Sequence, residues 1–189
     1  MLAKPSPEEF LDTVLNALST VPEWRAILDE LPVPIYVTDA QGGVTYSNRA
    51  CVEFVGRRPE LGQDRWCVVW KIYTTTGEPL PHDQCPMAQA IRQKRTVRDQ
   101  VAIAERPDGT RVAFRPYPTP LFNADGSLAG AVNMLIDVTA EQSATLADQA
   151  TRCRRLAGVT YNRETSAVLA RMADGFERTA AELRADNDR

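Results

Sequence analysis

"SLAGAVNMLIDVT" (residues 127–139) decides what kind of domain this chain builds. Its apolar stretch, Leu128 to Ile136, is the longest in the 189 residues and ends in Asp-Val-Thr. A helix needs about 20 apolar residues to cross a bilayer, so this shorter run reads as a strand. Immediately upstream, "NADG" (123–126) is a turn. Before it, "VRDQVAIAE" (97–105) and "TRVAFRPY" (110–117) flank "RPDG" (106–109), whose Asp-Gly is a hairpin signal. Residues 112–122 then run on toward the turn.

The first half has the same period in shorter pieces. "LPVP" (31–34) stops helix, because each proline pushes the residue before it out of the helical region. "IYVTD" (35–39), "AQGG" and "VTYSN" (44–48) read as strand, turn and strand. "NRACVEFVG" follows as a short helix ended by Gly56, and "PMAQAIRQKR" (86–95) is a helix with Pro86 in its first turn. Residues 57–85 carry no clean period and read as helical turns and loop. Two strands, a helical insertion and three more strands predict an α+β fold with a five-stranded antiparallel sheet and short helices on one face.

Helices flank this core. "SPEEF" (6–10) offers Ser6 and Glu9 as a capping box and Pro7 at the first helical position. Phe10, Leu11, Val14, Leu15 and Leu18 form an apolar stripe, Pro22 interrupts it, and Trp24, Ile27, Leu28 and Leu31 resume it. After the last strand, Thr139 opens a helix with Gln142 as its capping partner, and Leu146, Ala150, Cys153 and Ala157 share one face. "GVTYN" (158–162) breaks it, and a second helix carries Leu169, Met172, Phe176 and Leu183 near heptad spacing, so the pair reads as a helical hairpin. The expected organisation is an N-terminal helical segment (1–30), a core domain (31–140) and a C-terminal two-helix segment (141–189).

Composition narrows the function class. A net charge of −3 gives no electrostatic reason to expect nucleic acid or an anionic membrane. The basic clusters "RQKR" (92–95) and "RCRR" (152–155) read as solvated helix faces. Cys51, Cys67, Cys85 and Cys153 are scattered with no C-x-x-C pair, as in reduced thiols of a cytoplasmic protein. No secretory signal precedes the first helix. One histidine, no P-loop and no dinucleotide glycine motif leave catalysis without a seat.

These residues together resemble a PAS (Per-Arnt-Sim) sensory domain. The likeness rests on "IYVTDAQGGVTYSNRACVEFVG", on Tyr46, Asn48 and Ala50 within it, on "GEPLP…CPMAQAI", and on the closing Asp137-Val138-Thr139. It covers about residues 31–140. It implies helices over one sheet face with a pocket beneath them, and Leu135 pointing into that pocket. Period-two alternation then turns Ala131 and Asn133 inward and Val132, Met134 and Ile136 outward, beneath flanking helices. Phe54, Trp66, Trp70, Arg115, Tyr117, Asn133 and Leu135 are the candidate pocket residues; the four aromatics read as core and pocket wall, Asn133 and Arg115 as the polar contacts, with a satisfied internal hydrogen bond the plainer role for Asn133. Val132, Met134, Ile136, Leu169, Met172 and Phe176 are the candidate interaction surface. The implied function is a sensory and signal-transduction module that binds a small ligand or partner and works through its flanks, as a homodimer or on a signalling protein; an alternative is an adaptor without a ligand, its pocket plain core, that docks on a histidine kinase or a transcription regulator.

The lone histidine poses the alternative. His82 and Cys85, with Asp83 and Cys67, could supply zinc ligands, and a haem could use His82 in a redox or gas sensor. Adjacent ligands in one short stretch rarely reach tetrahedral geometry, and His82 precedes the helix body in which haem-binding relatives place their histidine. The plainer reading is a loop-to-helix junction in which Asp83 or His82 caps free N–H groups and Cys85 packs as a small hydrophobe. Flavin is disfavoured as well: the "N-C-R-F-L-Q"-like segment of flavin photosensors is absent, and Leu135 stands where those relatives carry glutamine.

Overall fold

Reciprocal bonds at Ser6 open the first element. Ser6 N–H donates to Glu9 Oε2 (2.7 Å), and Glu9 N–H donates to Ser6 Oγ (3.2 Å). The structure, a computed structural model, describes residues 6–20 and 23–187, so the break at Pro22 lies outside the described residues. The chain runs α1 (Pro7–Thr20), α2 (Trp24–Asp29), β1 (Ile35–Asp39), β2 (Val44–Ser47), α3 (Arg49–Val55) and β3 (Lys71–Tyr73). A 3-10 turn (His82–Gln84) leads into α4 (Pro86–Gln93), then β4 (Ala102–Glu105), β5 (Arg111–Pro116), β6 (Thr119–Phe122) and β7 (Leu128–Asp137). The helices α5 (Thr139–Val159) and α6 (Arg163–Asn187) close it. No described helix is long and apolar enough to cross a membrane. The chain divides into two compact units, residues 1–68, 82–100 and 116–136, and residues 69–81, 101–115 and 137–189.

In the first unit, β1 pairs antiparallel with β2 and with β7, and β6 pairs with β7. Asn48, fully buried at the end of β2, organises the entry to this ladder. Its Oδ1 accepts the N–H groups of Ile35 and Cys51, and its Nδ2 donates to the carbonyls of Leu28 and Val33, all at 2.9 Å. One carboxamide thus caps α3, pins β1 and closes α2. Gly56, in the left-handed region at φ 70°, ends α3. On one face of β1 and β7, Ile35, Val37, Val132 and Met134 form a cluster with Leu11, Val14, Leu28, Tyr46 and Tyr117, against which Phe10, Leu15, Leu18, Trp24 and Ile136 pack. Each apolar side chain buried there contributes roughly 1.5–3 kcal/mol. α1 and α2 therefore cover the outer face.

In the second unit, β4 pairs antiparallel with β3 and with β5. Glu105 is the hub of that ladder. It bonds Lys71 (2.7 Å), Tyr73 (3.0 Å) and Arg111 (2.9 Å), and Arg111 reaches on to Glu182 of α6 (2.6 Å). Hydrogen bonding from Lys71 and then from Arg111 and Tyr73 outweighs burial and holds the Glu105 carboxyl down at about 2. Between α5 and α6, the side chains of Leu146, Ala150, Ala173, Ala180 and Leu183 are buried.

Several expectations need correction. There are seven strands among the described residues, not five. β3 lies in a stretch without legible period, because it is only three residues long and just Ile72 is buried; its pairing with β4 and the Lys71–Glu105 contact fix it as strand. β6 is separated from β5 by Tyr117-Pro118, and Pro120 inside it lacks the N–H of an ordinary strand residue. The strand expected over 97–105 shortens to Ala102–Glu105, because Asp99 takes φ 59° and Val97 N–H bonds Pro118 O instead. Thr139 does not cap α5 through Gln142: its Oγ1 donates to Asp137 Oδ1 (2.6 Å) and accepts Ala113 N–H (3.1 Å). Met172 lies off the buried seam of α6, at 46% exposure, because the 3–4 spacing of positions 169, 173, 176, 180 and 183 puts Ala173 there.

Backbone crowding and the Glu105 hub each yield a test. A Cβ on Gly130 would lie 2.0 Å from Thr38 O across the β1–β7 pair, whereas a Cβ on Gly62 meets nothing within 4 Å. Gly130→Ala should lower unfolding free energy by about 2–4 kcal/mol and Gly62→Ala, strained only by its φ of 80°, by about 1–2 kcal/mol, read from urea midpoints. The depressed Glu105 pKa means its stabilisation is complete above the ordinary carboxylate range and is lost as pH falls toward 2. Glu105→Gln should lower the urea midpoint at pH 7 and flatten its decline between pH ~4.5 and ~2.

Candidate functional site

The register of β1 on β7 sets Tyr36 opposite Asn133 and Thr38 opposite Ala131. Ile35 and Val37 lie in the outer cluster, so period two puts Tyr36, Thr38, Ala131, Asn133 and Leu135 on the inner face. All five are buried. Cys51 of α3, Cys67 and Cys85 lie near the Tyr36 hydroxyl.

A chain of hydrogen bonds crosses this face. Tyr117 N–H donates to Asn133 Oδ1 (2.9 Å), Asn133 Nδ2 donates to the Tyr36 hydroxyl (3.0 Å), and that hydroxyl donates to Trp66 O (3.1 Å). Trp66 is held unusually for a bulky residue, at φ 68°. Its ring lies where a Cβ on Gly42 would come within 2.1 Å, and its N–H donates to Gly42 O (2.7 Å). Gly42, itself at φ 86°, is thus required twice over. Two residues from Tyr36 on the same face of β1, Thr38 Oγ1 is a buried side-chain oxygen with no hydrogen-bond partner among the described residues.

Electrostatically the inner face is neutral. Burial raises the Tyr36 hydroxyl well above its usual range. Burial likewise raises the Cys51 thiol, and hydrogen bonding with Cys67, then burial, raises Cys85. All three groups stay protonated at pH 7, and protonated buried thiols are poor nucleophiles.

The loop-to-helix junction resolves differently from the expectation. Cys85 itself is the N-cap of α4: its Sγ accepts Ala88 N–H at 3.5 Å, and it lies 3.7 Å from Trp66 O. The cap is therefore a thiol, not His82 or Asp83. His82 is half-buried, and desolvation, then the nearby Arg57 guanidinium, lower its pKa, so it is neutral at pH 7. No group of three or more His, Cys, Asp or Glu among the described residues could hold a metal ion, so His82, Asp83, Cys85 and Cys67 do not assemble as a zinc site.

The sequence candidates separate. Asn133, Leu135 and the Trp66 carbonyl belong to the inner face, and Phe54 is a half-buried residue of α3. Trp70 is 53% exposed in the second unit, and Arg115 there pairs with Glu141 at 2.9 Å. Tyr117 packs in the outer cluster beneath Arg98 and meets the inner chain only through its backbone. Tyr36 and Thr38 were missed; the alternation of β1 against Ile35 and Val37 was the signal that carried them.

A family model described as the PAS fold matches residues 28–143. The solved structure of the Rhodobacter sphaeroides LOV protein is similar over 94% of this chain and 98% of that one, with a TM-score of 0.50 and 15% identity. An RNA-binding Light-Oxygen-Voltage receptor is similar over 78% of this chain and 41% of its own, with a TM-score of 0.51 and 20% identity. Both show likeness of fold. No curated protein sequence matches.

Each half of the Tyr36–Asn133 bond depends on the other. Tyr36→Phe and Asn133→Leu should each cost about 1–3 kcal/mol in urea unfolding, and the double variant should cost less than their sum by about 1 kcal/mol.

Proposed function

We propose that this chain, which belongs to the PAS fold family, is a sensory module that takes a small uncharged molecule against the inner face of β1 and β7 and reports it through its flanking helices. The observation that carries this reading is Thr38 Oγ1. Buried hydroxyls are almost always hydrogen-bonded, and this one lies unpartnered beside a chain of satisfied groups. Tyr36, Asn133 and the protonated thiols offer no buried charge to balance an ion, so a neutral hydrogen-bonding ligand suits the face. Domains of this family are non-catalytic, and no reaction is part of the proposal.

The route outward follows from strand geometry. Asn133 lies between Val132 and Met134, whose side chains pack beneath α1 and α2. A ligand that competes for the Tyr36 hydroxyl or engages Thr38 alters the Asn133 bonds, and its neighbours on β7 transmit the shift to the opposite face. Such a ligand must bind the two packings unequally, since equal affinity shifts nothing. The flanking helices α1 and α2, which cover that opposite face, then serve as dimer or effector surface. The residues do not fit a flavin: Leu135 is buried and apolar, and the Cys51 thiol is sealed and protonated.

Mass spectrometry of small molecules released from purified protein tests the reading. Wild type should carry, or be thermally stabilised by, a neutral compound that Thr38→Val and Asn133→Ala weaken at least about tenfold, a loss of about 1.4 kcal/mol. Identical occupancy and identical stabilisation in wild type and both variants would overturn it. Light scattering should find a homodimer, and a strict monomer would remove dimerisation from the proposal.

A further inference from the structure

The helical hairpin has two unlike sides. On one, Arg154 pairs with Asp174 (3.2 Å) and with Glu177. At 100° per residue, Leu156 and Val159 of α5 and Val168 and Met172 of α6 lie about 120–180° around their helices from those paired residues. They are large apolar side chains left in water: Leu156 is 48% exposed, Val159 67%, Val168 41% and Met172 46%. Tyr161, at the turn between the helices, is fully exposed. At the Met172 end, Thr76, Gly175 and Phe176 join it around a cleft of about 160 Å³. Solvated helix faces are normally polar, and a cluster of this kind marks an interaction site.

Charge says what fits it. Residues 152–171 hold five arginines (Arg152, Arg154, Arg155, Arg163, Arg171) against one acid, Glu164, in a chain whose net charge is −3. Arg154 is neutralised by its ion pairs. Arg152, Arg155, Arg163 and Arg171 are exposed and have no carboxylate partner among the described residues. A twofold contact of this surface with its own copy would bring like arginines together. An acidic surface would neutralise them while its apolar side covered the strip.

We infer that this side of the α5–α6 hairpin is the effector-docking surface of the module, and that its partner is a protein presenting an amphipathic helix with acidic flanks. The helix lays its apolar stripe along Leu156, Val168 and Met172, and its carboxylates meet Arg152, Arg155 and Arg171. The inference rests on the sensory reading for its purpose but not for its test.

Fluorescence anisotropy on the full chain supplies that test. The probe is a labelled amphipathic helical peptide with leucine on one face and glutamate on the other. Its matched lysine version and an oligouridylate serve as comparisons. The glutamate peptide should bind saturably, weaken as salt rises, and lose about tenfold in affinity with Arg155→Glu or Arg171→Glu, but not with Arg92→Glu on α4. Leu156→Ser should weaken it comparably while circular dichroism stays unchanged. Equal binding of the lysine peptide, indifference to the arginine variants, or preferential binding of the oligouridylate would overturn the proposal. So would a dimer that Leu156→Ser dissolves, which would make the face a self-interface. Peptide binding that survives Thr38→Val separates a failure of ligand sensing from a failure of this surface.

Discussion

One buried carboxamide holds the entry to this domain together. Asn48 satisfies two backbone donors and two backbone acceptors from four different places in the chain. No other side chain of its size offers two donor hydrogens and two acceptor lone pairs, and removing it would take the side-chain partner from Ile35 N–H and Val33 O, where each lost partner costs about 1–3 kcal/mol. Because the same group caps α3 and fixes the start of β1, it sets where Tyr36 stands, and so where the inner chain of hydrogen bonds begins.

β7 is used on both faces. Its even-numbered side chains Val132 and Met134 are packed beneath α1 and α2, while Asn133 bonds on the opposite face. A strand buried on both sides cannot move one set of side chains without the other, because close packing leaves no slack to absorb the displacement. That coupling is the physical basis of the proposed sensing route. Trp66 contributes in the same sense. Its left-handed backbone is tolerated because Gly42 makes room for the ring, and the carbonyl so placed is the end point of the Tyr36 bond.

The second unit relies on charge where the first relies on packing. Glu105 and Arg111 join β3, β4, β5 and α6 through short ionic contacts with Lys71 and Glu182. At 100° per residue, Arg152 lies about 160° around α5 from the ion-paired Arg154, and Arg155 about 100°. A charge cluster that the sequence presents as an ordinary solvated face, "RCRR", is divided by helix geometry into an Arg154 that is neutralised and an Arg152 and Arg155 that are not.

Local chemistry was legible from the residues alone. The Ser6–Glu9 box, the Gly56 stop, the Pro86 start and the Asp-Gly turns depend on neighbours three or four positions away, so reading them needed nothing distant. Alternation along β7 was equally plain, since period two is a property of the strand itself. What the residues could not display was pairing across sequence distance. β3 is a strand only because β4 lies beside it, Cys85 caps α4 because no oxygen side chain occupies that position, and Thr139 leaves its own helix to bond Ala113, 26 residues away. The same reason hides Tyr36 and Thr38: a tyrosine and a threonine in a five-residue strand look ordinary until tertiary packing closes water out and leaves one hydroxyl bonded twice and the other with no partner among the described residues.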